Sequence, residues 1–421
     1  MNALPRPGSA LAAALCCVLV LAAAGPVARA QAPAPAWPLE RVLAAALAGH
    51  PLIQSRRSDR AAAAADLEVA EWARYPTPSA EATTRNASGD PAGLLRLDQP
   101  LWTGGRITAG IDAAARRLEA AEAAIAERRL EIAQRSVAAY FEALRQLGRR
   151  EVSEAGLREH ERLLEMIRRR VTQEVSSRAD ERLAEARLQQ AATERSLILQ
   201  SLRTAVLQLG QLAGDTVPVD ALGWAGLEAP VGAGLPATLP EAFDAALAHA
   251  PALRRLEQEE RAIAAEIEQR RAAVLPQVAL RLEHGMGGGA AQTRAMVVLQ
   301  AQPGAGLSAR SAVAAATARR EGARQSADAV RRELREQVES AWNDWVSARE
   351  RLEMVQRASD INAEVVDSYT RQFVIGRKSW VEVLNAVREA TQARYLVVDA
   401  RAQAGAAAWR LRALVGKLPT A

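Results

Sequence analysis

The sequence predicts a mainly α protein with a small β part, in which long coiled-coil-like helices join four short strands per chain. Three observations carry that reading. Of 421 residues, 49% are apolar, 24% charged and only 4% aromatic: enough apolar material for a packed structure, without the aromatic-rich composition of a β-sandwich. Apolar side chains recur every seven positions, as Ile111, Leu118, Ile125 and Ile132 in one stretch and Leu334, Ala341, Ala348 and Val355 in another, the latter interleaved with Val338, Trp345 and Leu352. That is the spacing of helices packed side by side along their length. The chain also repeats itself. At a shift of 200, Leu39, Ala45, Ala46, Leu47, Ala48 and Pro51 fall on Leu239, Ala245, Ala246, Leu247, Ala248 and Pro251, and Pro76 falls on Pro276; at a shift of 202, Tyr140 falls on Trp342.

In chain order, residues 1–30 read as a secretory signal peptide cleaved after Ala30. Arg6 supplies the positive start, 11–24 an apolar run, and Ala28-Arg29-Ala30 a small-x-small cleavage site. The run is shorter than the about 20 residues a spanning helix needs; a retained anchor is the alternative. The only cysteines, Cys16 and Cys17, lie inside it, so the mature chain has no disulfide or thiolate metal site. Leu15 before Cys16 is too large for lipoprotein processing. The net charge of +5, two units of which are Arg6 and Arg29, does not imply nucleic acid as a partner. No later apolar stretch reaches spanning length, so entry into a membrane would have to be by strands.

The first repeat occupies 31–212, a linker rich in Gly, Pro and Ala 213–238, the second repeat 239–415 and a tail 416–421. Each repeat opens with a helical segment (39–74; 239–274) and reaches a proline, Pro76 or Pro276, before a β-hairpin (77–101; 277–302). In the second hairpin Val278, Leu280 and Leu282 alternate with Gln277, Arg281 and Glu283, and Ala295, Val297 and Leu299 with Arg294 and Gln300, giving one apolar and one polar face. The first hairpin is weaker: Leu95, Leu97 and Leu101 alternate with Arg96 and Asp98, and its leading strand, near 79–85, offers only Ala80 and Ala82. The long helical stretches follow, 107–170 and 307–372, each about 96 Å at 1.5 Å per residue. Each needs neighbours along its whole length. The half-length segments before the hairpin and after the tip (179–212; 378–414) together match it.

Four strands cannot close a membrane barrel, which takes at least about 8, and open edges in lipid leave backbone groups unpaired at several kcal/mol each. Several copies must therefore pool their strands. Two copies would fill their barrel with side chains, whereas three, with twelve strands, leave a lumen that suits the polar residues Arg281, Glu283, Arg294 and Gln300.

Gln99-Pro100-Leu101-Trp102-Thr103-Gly104-Gly105-Arg106 stands ahead of an Ala-rich helix carrying Val137-Ala138-Ala139-Tyr140-Phe141. With Ser177-Arg178-Ala179-Asp180, Ala184, Ala186, and 369–376 followed by Val383-Leu384-Asn385, this resembles the TolC-like outer-membrane efflux protein family over nearly all of 37–415. The resemblance implies a homotrimer with a twelve-stranded barrel in outer-membrane lipid and a helical tunnel through the periplasm. It implies no cofactor and no reaction, and as partners a periplasmic adaptor and an inner-membrane ABC or proton-driven transporter. Gln302-Pro303-Gly304-Ala305-Gly306-Leu307-Ser308-Ala309 with Arg377-Lys378-Ser379-Trp380-Val381-Glu382-Val383-Leu384-Asn385 is most similar to the branch serving type I secretion of large proteins such as adhesins. Small-molecule or metal efflux is the alternative within the family, and a soluble periplasmic coiled-coil adaptor the alternative outside it.

By the same resemblance the helical turns form the periplasmic mouth. Ser177, Arg178, Gly376, Arg377 and Lys378 would dock the adaptor, and Asp180, Glu382 and Asn385 would line the gate. Asn385 is uncharged, and Glu174 stands where the first turn usually has glycine, so a strict ring of carboxylates is not implied. Enzyme readings find little support. His50, His160, His249 and His284 are scattered, and His160-Glu161-Arg162-Leu163-Leu164 ends in Leu where a zinc motif needs His. The glycines of 304–309 follow a strand and open a helix, but no second strand completes a dinucleotide-binding unit. Trp72 and Trp102 fit either a lipid interface or a rim core.

Overall fold

The computed structural model describes residues 36–83, 92–224, 227, 234–286, 292–301 and 308–418. The predicted signal segment 1–30 with its cleavage site, the glycines 287–289, most of the 302–309 motif and the end of the tail lie outside the described residues. In chain order the elements are α1 (Leu39–Gly49), α2 (Pro51–Trp72), β1 (Thr77–Thr83), β2 (Ala92–Trp102), α3 (Arg106–Thr172), α4 (Arg178–Ala213), α5 (Leu239–His249), α6 (Pro251–Ala272), β3 (Gln277–Met286), β4 (Gln292–Gln300), α7 (Ser308–Val374) and α8 (Trp380–Leu414).

Three expectations need correction. The segments 39–74 and 239–274 are not single helices. Each breaks before a proline, with His50 at ψ 127° and Ala250 at ψ 96°, because the proline ring excludes the α region for the residue ahead of it. The short helices so released, α1 and α5, turn aside and pack on the long ones. The leading strand of the first hairpin begins at Thr77 rather than Ser79, and α8 begins at Trp380 rather than Lys378.

Helix α3 runs beside α2 and α6 along one part of its length and beside α4 and α8 along the other; α7 runs beside α6 and α8. At 67 residues, α3 and α7 are each about 100 Å long. The best-packed region lies midway, where Trp37, α1 and the linker residues Val217, Ala221 and Leu222 cover α3 and α4 around Tyr140. The Tyr140 hydroxyl lies within donor distance of the Trp37 carbonyl (3.2 Å) and the Gly223 carbonyl (3.3 Å), so it ties the start of the described chain and the linker to the rod. Burial pushes its phenol up to about 12. Helix α5 does the same for α7 and the end of α8 through Ala242, Ala246, Val338, Ala341, Leu411 and Leu414.

Nearer the strands the packing thins. Of the heptad residues Ile111, Leu118, Ile125 and Ile132, only Ile132 is fully buried. Alanines and ion pairs replace the core: Arg60 to Glu122 (3.0 Å), Arg255 to Glu127 (2.6 Å), Arg320 to Glu260 (2.6 Å) and Arg117 to Glu266. Solvent-accessible pairs such as Arg60 with Glu122 contribute about 0–1 kcal/mol each, so they hold the helices in register more than they hold them together.

Candidate functional site

The four strands form one antiparallel sheet in the order β1-β2-β3-β4, with β1 and β4 at its edges. Cross-strand partners share a face, and the register sorts most residues by face, with Met296 and Val298 falling on the polar side and Gln99 and His284 on the apolar one. Leu95 and Leu97 on β2, Leu280 and Leu282 on β3 and Val297 and Leu299 on β4 lie on one side. Arg96 and Asp98 lie on the other with Arg281, Glu283, Arg294 and Gln300. Pro100 falls beyond the end of β1, whose Thr77 meets Asp98, and next to a bulge that leaves Leu101 unpaired, so its missing N–H costs no ladder bond.

The apolar face is the uncovered one. Leu280 and Leu282 are 43% exposed, Val297 66% and Leu299 69%. The charged side chains opposite are less exposed, Arg281 at 24% and Glu283 at 22%, and are tied across strands: Arg281 to Asp98 at 2.6 Å and Arg96 to Glu283 at 3.1 Å. Two of the four expected lumen residues are thus ion-paired, through partners that their spacing did not single out. Arg294 and Gln300, on the edge strand, are exposed. Both Trp72 and Trp102 are exposed in the single chain where helices give way to strands, and Trp72 packs at a tilt on Tyr75 at 5.1 Å.

At the other end of the rods the two turns are built alike. The Val175 N–H donates to the Arg170 carbonyl and the Arg377 N–H to the Gln372 carbonyl, both at 2.9 Å, closing each helix with a six-to-one bond. That closure needs a left-handed residue. Gly376 supplies it at φ 77°, and Glu174 holds the matching position at φ 59°, the one non-glycine with positive φ among the described residues. Each following helix starts with a capping box, Ser177 with Asp180 and Ser379 with Glu382. The expected gate carboxylates therefore first of all cap helices.

Glu382 does more. It accepts from the Lys378 ammonium at 2.6 Å as well as from the Ser379 N–H and hydroxyl. The ammonium, then the Ser379 groups, hold its carboxyl down at about 2, and the same pair raises Lys378. Lys378 also lies 4.3 Å over the Tyr369 ring. Asn385 sits one turn on from Glu382, half-buried. Arg178, Ser177, Gly376 and Arg377 are exposed.

The structure adds residues that spacing alone did not identify. The Trp380 indole N–H donates to the Asp180 carbonyl at 3.2 Å, joining the two turns, and the ring packs at a tilt against Phe373 at 5.2 Å, in a cluster with Leu163, Leu164, Ile167 and Val383. Val175 and Ile375, 59% and 66% exposed, are apolar side chains beside the expected docking residues.

Residues 42–215 and 242–417 each match the model of a family described as outer membrane efflux protein. No curated protein matches the chain. Among solved structures, it is similar to a membrane protein from Pseudomonas aeruginosa (20% identity, TM-score 0.77, 90% of this chain and 92% of that one). It is also similar to the outer membrane protein VceC of Vibrio cholerae (17%, 0.75, 90% and 96%) and to the CmeC outer membrane channel of Campylobacter jejuni (14%, 0.76, 90% and 85%). At these identities the likeness is one of fold.

Proposed function

This chain belongs to the outer membrane efflux protein family, and on that premise we propose that three copies form an outer-membrane channel continued by a periplasmic helical tunnel, the passive duct of a tripartite export system. The observation that carries the reading is the inverted sheet, with Leu280, Leu282, Val297 and Leu299 facing out, Arg281 and Glu283 ion-paired on the other side and both edges unfilled. A water-soluble sheet would bury the first face and solvate the second. Pooling strands satisfies the edges, and lipid covers the apolar side. Among the described residues no helix is long and apolar enough to cross a membrane, which leaves the strands as the part that enters it.

In this reading Asp180, Glu382 and Asn385 line the periplasmic mouth. Ser177, Arg178, Gly376, Arg377 and Lys378, joined by Val175 and Ile375, meet an adaptor, and an inner-membrane transporter supplies the energy. Type I secretion of a large protein is the first choice of cargo, on the resemblance of 377–385. The test is fractionation followed by planar-bilayer recording. Heat-modifiable oligomers in the outer-membrane fraction that conduct without nucleotide are expected, and a soluble monomer released by osmotic shock would remove the duct in favour of the adaptor. A deletion strain then separates the cargoes: loss of a secreted protein supports type I secretion, and drug or metal sensitivity with secretion intact replaces it.

A further inference from the structure

Helix α8 meets an arginine from each long helix, one helical turn apart. On the α3 side Arg149 is paired with the Asp399 carboxylate at 3.0 Å, and Arg145 lies 3.6 Å from the same carboxylate. On the α7 side stands Arg351, which the repeat matches to Arg149 at a shift of 202. There α8 offers only an amide: the Arg351 Nη1 donates to the Gln403 Oε1 at 3.2 Å. Arg351 is in no ion pair among the described residues. One of two corresponding guanidinium groups is thus neutralised by α8 and the other keeps its charge.

The charged group opens on a groove. Residues 131–138 of α3, 344–351 of α7 and 403–410 of α8 enclose a space of about 630 Å³, within the range of small-molecule sites and about 10 Å long at 1.5 Å per residue. Its apolar lining is Val137, Ala138, Ala348, Ala406 and Ala407; side chains this small leave open what leucines would fill. Helix α7 runs from the strands to the tip, so Asp344 and Arg410, paired at 3.6 Å, close the end nearer the strands. Arg351 and Gln403 stand at the end nearer the tip. Arg135, on the α3 wall, is held by Glu131 at 2.6 Å, a carboxylate that Arg128 shares. The groove is therefore an apolar trough whose uncompensated positive charge sits at one end.

We propose that this groove binds a small amphiphile carrying one negative charge, with its carboxylate, sulfate or sulfonate head on Arg351 and its apolar body along the alanines of α8. A guanidinium grips such a head through two parallel N–H···O bonds. The bond to Gln403 uses one Arg351 donor and leaves the others for the ligand. A carboxylate at 403 would occupy that fork, as Asp399 does for Arg149. An inorganic anion lacks the body that the trough fits, and an uncharged amphiphile leaves Arg351 without its partner. Every wall comes from one chain, so the site does not depend on how copies assemble.

Two fluorescent probes test it in purified full-length protein held in non-ionic detergent: dansylglycine, a carboxylate, and dansylamide, its uncharged counterpart. Dansylglycine is expected to bind saturably with enhanced emission, and dansylamide about tenfold more weakly. Arg351→Gln removes the charge, and Gln403→Glu supplies an internal carboxylate to neutralise it. Each should weaken dansylglycine by about tenfold while leaving dansylamide binding and thermal unfolding unchanged. Arg357→Gln, at another exposed arginine of α7, should alter neither probe, and Ala406→Leu should weaken both by filling the trough. Dansylglycine that fails to saturate, that binds Arg351→Gln as tightly as wild type, or that binds no better than dansylamide would overturn the site. So would two probes indifferent to Ala406→Leu. Each of these results leaves the duct standing, since fractionation and conductance decide that separately.

Discussion

Helices α3 and α7 are each 67 residues long and hold the same place in their halves, yet 19 residues of α3 are buried and only 6 of α7. The difference is one of position. Helix α3 lies between α2 and α6, then between α4 and α8, whereas α7 ends the row and has neighbours on one side. Its free side carries apolar residues as well as charged ones: Met354 and Ile361, seven residues apart, are 59% and 61% exposed. A long amphipathic helix gains its stability from packing, and in the proposed assembly the exposed stripe on α7 is where another copy would pack.

The largest effect that tests this contrast is in the core. Leu144 on α3 is fully buried, and Leu144→Ala is expected to destabilise the folded chain by about 2–5 kcal/mol in denaturant unfolding. Ile361→Ala should leave the folded chain unchanged and weaken assembly instead. An equal loss of chain stability from both would break the comparison.

A smaller effect comes from glycine. A Cβ at Gly405 on α8 would press into the Phe141 ring on α3, while nothing lies within 4 Å of one at Gly322 on α7. Gly405→Ala should therefore cost about 1–3 kcal/mol by overpacking, and Gly322→Ala should stabilise by up to about 1 kcal/mol through helix propensity, both read from thermal unfolding.

The smallest sharpens the contrast between the two tips. The Glu382 carboxyl is held down from 4.5 to about 2, so its contribution to the start of α8 is complete above 4.5 and is lost as pH falls toward about 2. Amide protection in the first turn of α8 should fall across that window, and Glu382→Gln should remove the dependence. An unchanged profile in the variant would detach the lowered pKa from the stability of the tip.

Much of this was legible beforehand. The heptads marked α3 and α7 to within two residues at each end, and alternation placed Leu280, Val297, Arg281 and Arg294 on their correct faces. The capping serines stand three residues ahead of Asp180 and Glu382, a pattern visible in any listing of the chain. The helix breaks at His50 and Ala250 were visible in principle through Pro51 and Pro251, but the apolar periodicity carries across them and conceals the turn. The cross-strand bonds of Arg96 and Asp98 were not visible, because ion-pair partners 183 and 187 residues apart are chosen by strand register.

What the sequence by itself determined is therefore mostly what is set within a few turns of chain, namely which stretches are helix or strand and which face of each is apolar; comparison of its two halves added that the unit occurs twice. Only the tertiary structure decided which of two equal rods is enclosed and which is left at the edge, which charges neutralise one another, and that the sheet turns its leucines outward. The physical reason is range. Periodicity and capping act between residues three to seven apart, while the choice among similar amphipathic partners depends on the summed packing of whole helices and strands, to which no short segment holds the key.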